Sequence, residues 1–141
     1  MLDAGAILLP VFVVGALTIV MMVMMISTRI PAMTAAGIDA QDAQRTSVLG
    51  GRLPARVEFI ADNYNHLFEQ PTVFYAVAIS IAVLGHTDAL HVQCAWAFAI
   101  LRILHSIVQV TANIVLVRFG LFIGAWIAVA IMVVREIVAL T

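Results

Sequence analysis

An uncharged run of 25 residues, from Ala4 to Thr28, constrains the fold of this chain more than any other feature. At about 1.5 Å per residue, a helix of that length exceeds the roughly 30 Å hydrocarbon core of a bilayer. A cleaved signal peptide is the alternative. However, no basic residue precedes the run, Asp3 stands there instead, and the run is about twice as long as the apolar region of a signal peptide. We therefore predict a retained transmembrane helix over 4–28.

The composition places the rest of the chain in a membrane as well. Apolar residues make up 64% of the sequence and charged residues 11%, against about 45–50% and about 25% in soluble domains. A net charge of −1, with no basic stripe, argues against binding to nucleic acid. The single Cys94 provides neither a disulfide framework nor a zinc spacing, and the methionines of 21–25 are predicted to fill gaps between aliphatic neighbours. No metal site is therefore predicted.

Three more apolar segments follow the first one. They are separated by a polar loop over 29–56, by a short turn after Gly85, and by Arg118. The sequence predicts an all-α, up-down bundle of four transmembrane helices in a single domain, 1–141, with spans at about 4–28, 60–85, 89–117 and 119–140.

The distribution of arginine predicts the orientation in the membrane. The loop over 29–56 holds four of the seven arginines, and Arg118 lies where spans three and four meet. Basic residues concentrate on the cytoplasmic side, so we expect the loop and Arg118 to face the cytoplasm and both termini to lie on the other side. The expected location is the bacterial inner membrane. Arg135 and Glu136 fall near the far end of span four, from which a side chain can reach the interface.

Span two carries charged residues inside the membrane. The apolar run over 71–84 rises only about 21 Å as a helix, which is too short to cross, so the span has to begin earlier and include Glu69. Pro71 lacks an amide hydrogen and is predicted to kink the helix beside Glu69. Four polar residues are spaced to share one helical face: Asp62, Asn65, His66 and Glu69.

Span three carries a matching polar face, formed by Arg102, His105, Gln109 and Asn113. Glu69 lies 18 residues before Thr87 and His105 lies 18 after it, so antiparallel helices place them at similar depth. Ionisable groups in a bilayer are costly unless they are paired or line a wet, functional cavity. An ion pair between Glu69 and Arg102 that fixes the helix register is one interpretation. Because each face has four polar positions, we favour a cavity, with Arg118 as either a membrane anchor or a part of the site.

These residues resemble the MAPEG family, the membrane-associated proteins of eicosanoid and glutathione metabolism, which are four-span helical proteins. The resemblance extends over about 57–122. In span three, R-x2-H-x3-Q-x8-R has the family's spacing of arginine, histidine, tyrosine and catalytic arginine. In span two, HLFEQPTVFYA is similar to the family's N-x-x-E followed by P-x-x-F, with Glu69 and Phe74 matching, and Glu58 resembles the acid that begins the motif.

The resemblance implies a homotrimer with active sites between neighbouring subunits, near the cytoplasmic side. Glutathione would bind there in a bent form, and an arginine, here Arg118, would stabilise its thiolate. The activity implied is that of a transferase or peroxidase acting on lipophilic electrophiles or lipid hydroperoxides. By the same resemblance, the residues expected to bind glutathione are Glu69, Arg102, His105, His66, Gln109 and Asn65.

Several positions depart from the family pattern. His66 replaces an asparagine that binds glutathione, Gln109 replaces the tyrosine, and basic residues are missing at three positions: Phe59, Asp62 and Asn65. These departures leave open a non-catalytic relative that binds a lipid or metabolite. A small proton-coupled exporter is a third interpretation, suggested by an intramembrane glutamate. Arg102, at the predicted depth of Glu69, argues against it because it would keep that carboxylate ionised.

Overall fold

The computed structural model describes residues 3–141, and every regular element in that range is helical. The α helices are α1 (Ala4–Ala35), α2 (Ala55–His66), α3 (Gln70–Leu84), α4 (Ala89–Val110) and α5 (Val115–Leu140). Four segments are long and apolar enough to cross a membrane: α1, the segment Ala55–Leu84 that contains α2 and α3, α4, and α5. The predicted all-α bundle with four membrane spans is confirmed.

The first helix continues past the predicted end at residue 28. It passes Arg29 and Pro31 and ends at Ala35. Gly37 then adopts φ 65°, and the amide of Ile38 donates to the carbonyl of Met33 at 3.0 Å, a common way to close a helix. Arg29 marks the end of the uncharged run but not the end of the helix, because a helix can extend into the polar interface beyond the hydrocarbon core. Two short 3₁₀ turns, Ala40–Ala43 and Thr46–Leu49, follow in the loop.

The second span is broken into two helices. The amides of Leu67, Phe68 and Glu69 donate to carbonyls three residues earlier, at 3.2, 3.0 and 3.3 Å, so the chain tightens before it turns. Glu69 has φ −94° and ψ −96°, and Pro71 stands in the first turn of α3. The kink expected at Pro71 is therefore a complete break between α2 and α3.

The helix of the third span, α4, is shorter than predicted. It ends at Val110, not at 117, because Thr111 leaves the helical conformation with φ −111° and ψ −90°. Asn113 then adopts a positive φ of 48°, which no α-helix accommodates. α5 then begins at Val115, so Arg118 lies in its first turn and not between two helices. We call the end of the bundle that carries the 36–54 loop and this α4–α5 connection the loop end.

The opposite end of the bundle, the turn end, is formed by residues 85–88 and the C-terminal part of α5. Gly85 closes α3 with φ 72°, and the side chain of Asp88 caps α4 by accepting from the amide of His91 at 2.9 Å. Between the two ends, the rings of Phe74 and Phe98 stack at 4.2 Å in the core. The small buried side chains of Ala78, Ala95, Ala99 and Ala125 allow the helices to approach closely.

Candidate functional site

A cavity of about 250 Å³ lies at the loop end of the bundle. Its lining comes from three parts of the chain: the α2–α3 break, the middle of α4, and the first two turns of α5. The lining residues are His66, Glu69, Arg102, His105, Val115, Arg118, Phe119 and Phe122. Glu69, Arg102 and His105, which were expected at similar depth, thus line one cavity together with His66 and Arg118.

The break in the second span positions the acidic side of this cavity. His66 is the last residue of α2 and is half-buried, and Glu69 is the exposed residue just before α3. The ring centroids of His66 and His105 are 6.3 Å apart, so the end of α2 packs close to α4. At the start of α3, the side-chain amide of Gln70 donates through Nε2 to the backbone carbonyl of Phe122 at 3.1 Å. This hydrogen bond holds the α2–α3 break against α5.

Arg102 is the most deeply buried charge of the cavity, with 1% of its surface exposed. Its Nε and Nη2 atoms have no hydrogen-bond partner among residues 3–141. None of the ion pairs in the described chain joins Arg102 to Glu69. The direct ion pair between them, one of the interpretations of the sequence, is therefore not formed. A buried guanidinium without a direct ion-pair partner is costly, and it is suited to an anionic group that enters the cavity.

Arg118 enters the same cavity from α5. Its side chain is half-buried, and its Nη1 donates to Oδ1 of Asn113 in the α4–α5 connection. Its Nε is buried and has no partner within the part of the chain that the structure describes. No acidic residue in that part pairs with it either. The cavity therefore contains two guanidinium groups and only one carboxylate, that of Glu69.

Two of the predicted glutathione-binding residues lie elsewhere. Asn65 lines a second cavity of about 360 Å³, together with Arg29, Glu58 and Asp62. Asp62, Asn65 and His66 all lie in α2, but only His66 lines the first cavity, and Glu69 reaches it from beyond the end of that helix.

Gln109 is the other predicted residue outside the cavity. It is buried at 2% exposure, and its Oε1 has no partner among residues 3–141. The adjacent Val110 packs against Met21, Ile60 and Leu67, so this turn of α4 is enclosed by α1 and α2. Gln109 is therefore placed in the interior, one helical turn beyond His105.

Sequence reasoning missed the apolar wall of the cavity, which is formed by Val115, Phe119 and Phe122. With Arg118 they fall at i, i+3, i+4 and i+7, which is one face of α5. This spacing could have shown that the three residues share a face with Arg118. However, most residues of the span are apolar, so the sequence does not distinguish these three from residues that face the lipid. Phe119 is 59% exposed, so the wall continues onto the outer surface of the bundle.

The arrangement combines two chemistries in one place. Guanidinium groups bind carboxylates and stabilise anions, and a carboxylate binds an ammonium group. The apolar wall on α5 suits a lipophilic molecule that arrives from the bilayer. A polar molecule with both amino and carboxylate groups can therefore meet a lipophilic one here.

The sequence model of the MAPEG family matches residues 7–138. No curated protein and no solved structure gave a significant match. The family match spans nearly the whole chain, including all four membrane segments and the cavity. The chain is an integral, multi-pass membrane protein, and it belongs to the MAPEG family.

Proposed function

We propose that the protein is a membrane-embedded, glutathione-dependent transferase or peroxidase that acts on lipophilic electrophiles or lipid hydroperoxides. One observation carries the proposal: Arg102, Arg118 and Glu69 line a single cavity whose remaining wall is largely apolar. Glutathione offers a thiol, an ammonium group and two carboxylates, which these side chains complement. Membership in a family of glutathione and eicosanoid metabolism supports the same reading.

Arg118 is the residue we assign to activation of the thiol. A free thiol with a pKa of about 8.5 is only a few per cent thiolate at neutral pH, and a nearby cation raises that fraction. The guanidinium of Arg118 is a cation and has no acidic partner in the described chain. Its full charge is therefore available to the sulfur.

Arg102 and Glu69 would bind the rest of the tripeptide. The partnerless Nε and Nη2 of Arg102 suit a carboxylate, which can accept two parallel hydrogen bonds. The exposed carboxylate of Glu69 suits the ammonium group. His66 and His105 lie beside them and offer hydrogen bonds to the peptide groups.

A second carboxylate of glutathione requires another cation. Within residues 3–141 the cavity offers two guanidinium groups, and one of them is assigned to the thiol. A neighbouring subunit of a homotrimer would complete the site, in keeping with the exposed edge of the cavity at Phe119. In this proposal the loop end faces the cytoplasm of a bacterium, where soluble glutathione reaches the cavity.

A non-catalytic lipid- or metabolite-binding protein is the second candidate. It is favoured by the placement of Asn65 and Gln109 away from the cavity, which reduces the number of polar residues available to glutathione. Such a protein would bind an anionic amphiphile through Arg102 and Arg118 without activating a thiol. The same excess of cations over carboxylates disfavours the proton-coupled exporter, because two arginines line the cavity with its one glutamate.

The test is a calorimetric titration of glutathione into the detergent-purified protein, combined with the ultraviolet absorbance of bound thiolate and turnover of a chloronitrobenzene. We expect Arg118→Ala to abolish the thiolate signal and to lower kcat by about 100- to 1000-fold. Arg45→Ala, an exposed loop arginine outside the cavity, is the matched control and should match the wild type. Unchanged turnover in Arg118→Ala would refute the proposal. Binding of glutathione without thiolate or turnover would favour the non-catalytic candidate.

A further inference from the structure

The connection between α4 and α5 contains an unusual backbone position. Asn113 is the one residue other than glycine with a positive φ among residues 3–141. Its amide donates to the carbonyl of Val108 at 2.7 Å, which closes the end of α4. Asparagine is tolerated in this left-handed region, so the backbone alone is a sufficient reason for its presence.

The side chain of Asn113 also makes a hydrogen bond that the backbone conformation does not require. Its Oδ1 accepts a hydrogen bond from Nη1 of Arg118, five residues later in the chain. The amide of Arg118 donates to the carbonyl of Ile114 at 3.0 Å, so the first turn of α5 holds the backbone of Arg118 at the same place. The two ends of the arginine side chain are thus both fixed by this connection.

The chemical nature of the acceptor is informative. An arginine side chain has several rotatable bonds, and a single hydrogen bond at Nη1 restricts where its charge can lie. A carboxylate at this position would orient the guanidinium equally well but would neutralise part of its charge. The neutral amide of Asn113 orients Arg118 and leaves that charge available to a ligand.

We propose that Asn113 is a positioning residue that holds the guanidinium of Arg118 towards the cavity, where it stabilises the thiolate of glutathione. This inference rests on the proposed function, since it assigns a partner to the residue that activates the thiol. Asn113 does not line the cavity itself, so its effect is exerted through Arg118.

Two substitutions of Asn113 distinguish its effect on the position of Arg118 from its effect on the backbone conformation of the α4–α5 connection. Asn113→Gly retains easy access to positive φ and removes the amide side chain. Asn113→Asp retains both the acceptor and the tolerance for this conformation, but adds a negative charge beside Arg118. Thr111→Ala is the control for a change in the same connection, since the Thr111 hydroxyl is exposed and donates only to the carbonyl of Ile107 in its own helix.

The experiment measures thiolate absorbance against pH for glutathione bound to the detergent-purified protein, with kcat and KM, in the wild type, both Asn113 variants, Thr111→Ala and Arg118→Ala. Thermal unfolding checks that each variant is folded. We expect both Asn113 variants to raise the apparent pKa of the bound thiol and to lower kcat by up to about 100-fold, with a smaller change in KM for glutathione. Thr111→Ala should follow the wild-type pH profile.

The outcomes distinguish this inference from the proposed function. If Arg118→Ala loses the thiolate while Asn113→Gly keeps the wild-type pH profile, Asn113 only shapes the backbone, and this inference alone is overturned. If a folded Asn113→Asp keeps the wild-type pH profile, a negative charge beside Arg118 has no effect on the thiol. The inference that Asn113 must be neutral to leave the charge of Arg118 available is then refuted. If wild type and Arg118→Ala give the same profile, Arg118 does not stabilise a thiolate, and both proposals are overturned.

Discussion

Glu136 and His86 form a hydrogen bond of 2.8 Å that connects α5 to the turn between α3 and α4. A glutamate carboxylate only accepts, so Nδ1 of His86 carries the hydrogen. The buried His91 is placed beside them: its Nδ1 donates to the carbonyl of His86 at 3.0 Å, and its Nε2 accepts from Nε of Arg135 at 3.2 Å. Arg135 also binds Asp88. The turn end is thus held together by a polar network.

The first prediction concerns the contribution of Glu136 to this network. Its side chain is 12% exposed, so removing the carboxylate leaves His86 without its acceptor in a partly buried place. We expect Glu136→Ala to lower the free energy of unfolding by about 1–3 kcal/mol. Val138→Ala, 70% exposed on the same helix, is the control and should change it little. Unfolding in mixed micelles measures both, and equal values would contradict a stabilising network.

The second prediction is a dependence of stability on pH. The amide of His91 donates to the carboxylate of Asp88 and, with Arg135 nearby, lowers the pKa of Asp88 below its ordinary value of 3.8. A lowered pKa in the folded state stabilises the protein above the ordinary value, and this stabilisation is lost as the pH falls through the folded-state pKa. Asp88→Asn can still cap α4, so it isolates the charge.

We expect wild type to unfold at a higher temperature than Asp88→Asn near neutral pH. The difference should be constant down to about pH 5 and should shrink as the pH falls below about 4. Melting curves in detergent across this range measure it. A difference that stays the same at acidic pH would show that the charge of Asp88 contributes nothing.

The third prediction concerns a hydrogen bond between α2 and α4. Ser106 donates to Oδ1 of Asn63 at 3.1 Å, and both residues are buried. We expect Ser106→Ala to lower the free energy of unfolding by about 0.5–2 kcal/mol, the range of interhelical hydrogen bonds in membranes. Ser80→Ala is the control, since the exposed Ser80 donates only to the carbonyl of Ala76 in its own helix. Equal losses in the two variants would show that the bond to Asn63 adds nothing.

The sequence predicted the parts of this fold that arise from strong local signals. Long apolar runs defined the spans, and Pro71 predicted a kink beside Glu69, where the structure has a break between α2 and α3. The equal separation of Glu69 and His105 from Thr87 placed them at similar depth, and both line the loop-end cavity. These inferences need only helix geometry and the approximate position of one turn.

Other features depended on information that local patterns lack. The sequence from 105 to 118 contains no glycine or proline, so the end of α4 at Val110 carried no strong turn signal. The spacing of Asn65 and His66 places both on α2, but spacing does not show that the two adjacent side chains line different cavities. The network at the turn end joins residues that are 44 to 50 positions apart, and only tertiary packing brings them together.

The last prediction tests the electrostatic cost of the candidate site. Arg102 is 1% exposed, and its Nε and Nη2 have no partner within residues 3–141. Replacing a buried, poorly compensated charge with an apolar side chain of similar length is often stabilising, so we expect Arg102→Met to raise the free energy of unfolding by about 1–4 kcal/mol without ligand. The same change should weaken glutathione binding, because a carboxylate partner is removed.

The control for Arg102→Met is Arg45→Met, an exposed loop arginine whose replacement should alter neither property. Unfolding in mixed micelles and calorimetric titration of glutathione measure the two effects on the same samples. A large loss of stability in Arg102→Met would mean that a counter-ion from a neighbouring subunit or a copurifying lipid already compensates the charge. A gain of stability together with weakened binding would show that the protein keeps Arg102 for its ligand at the expense of its own stability.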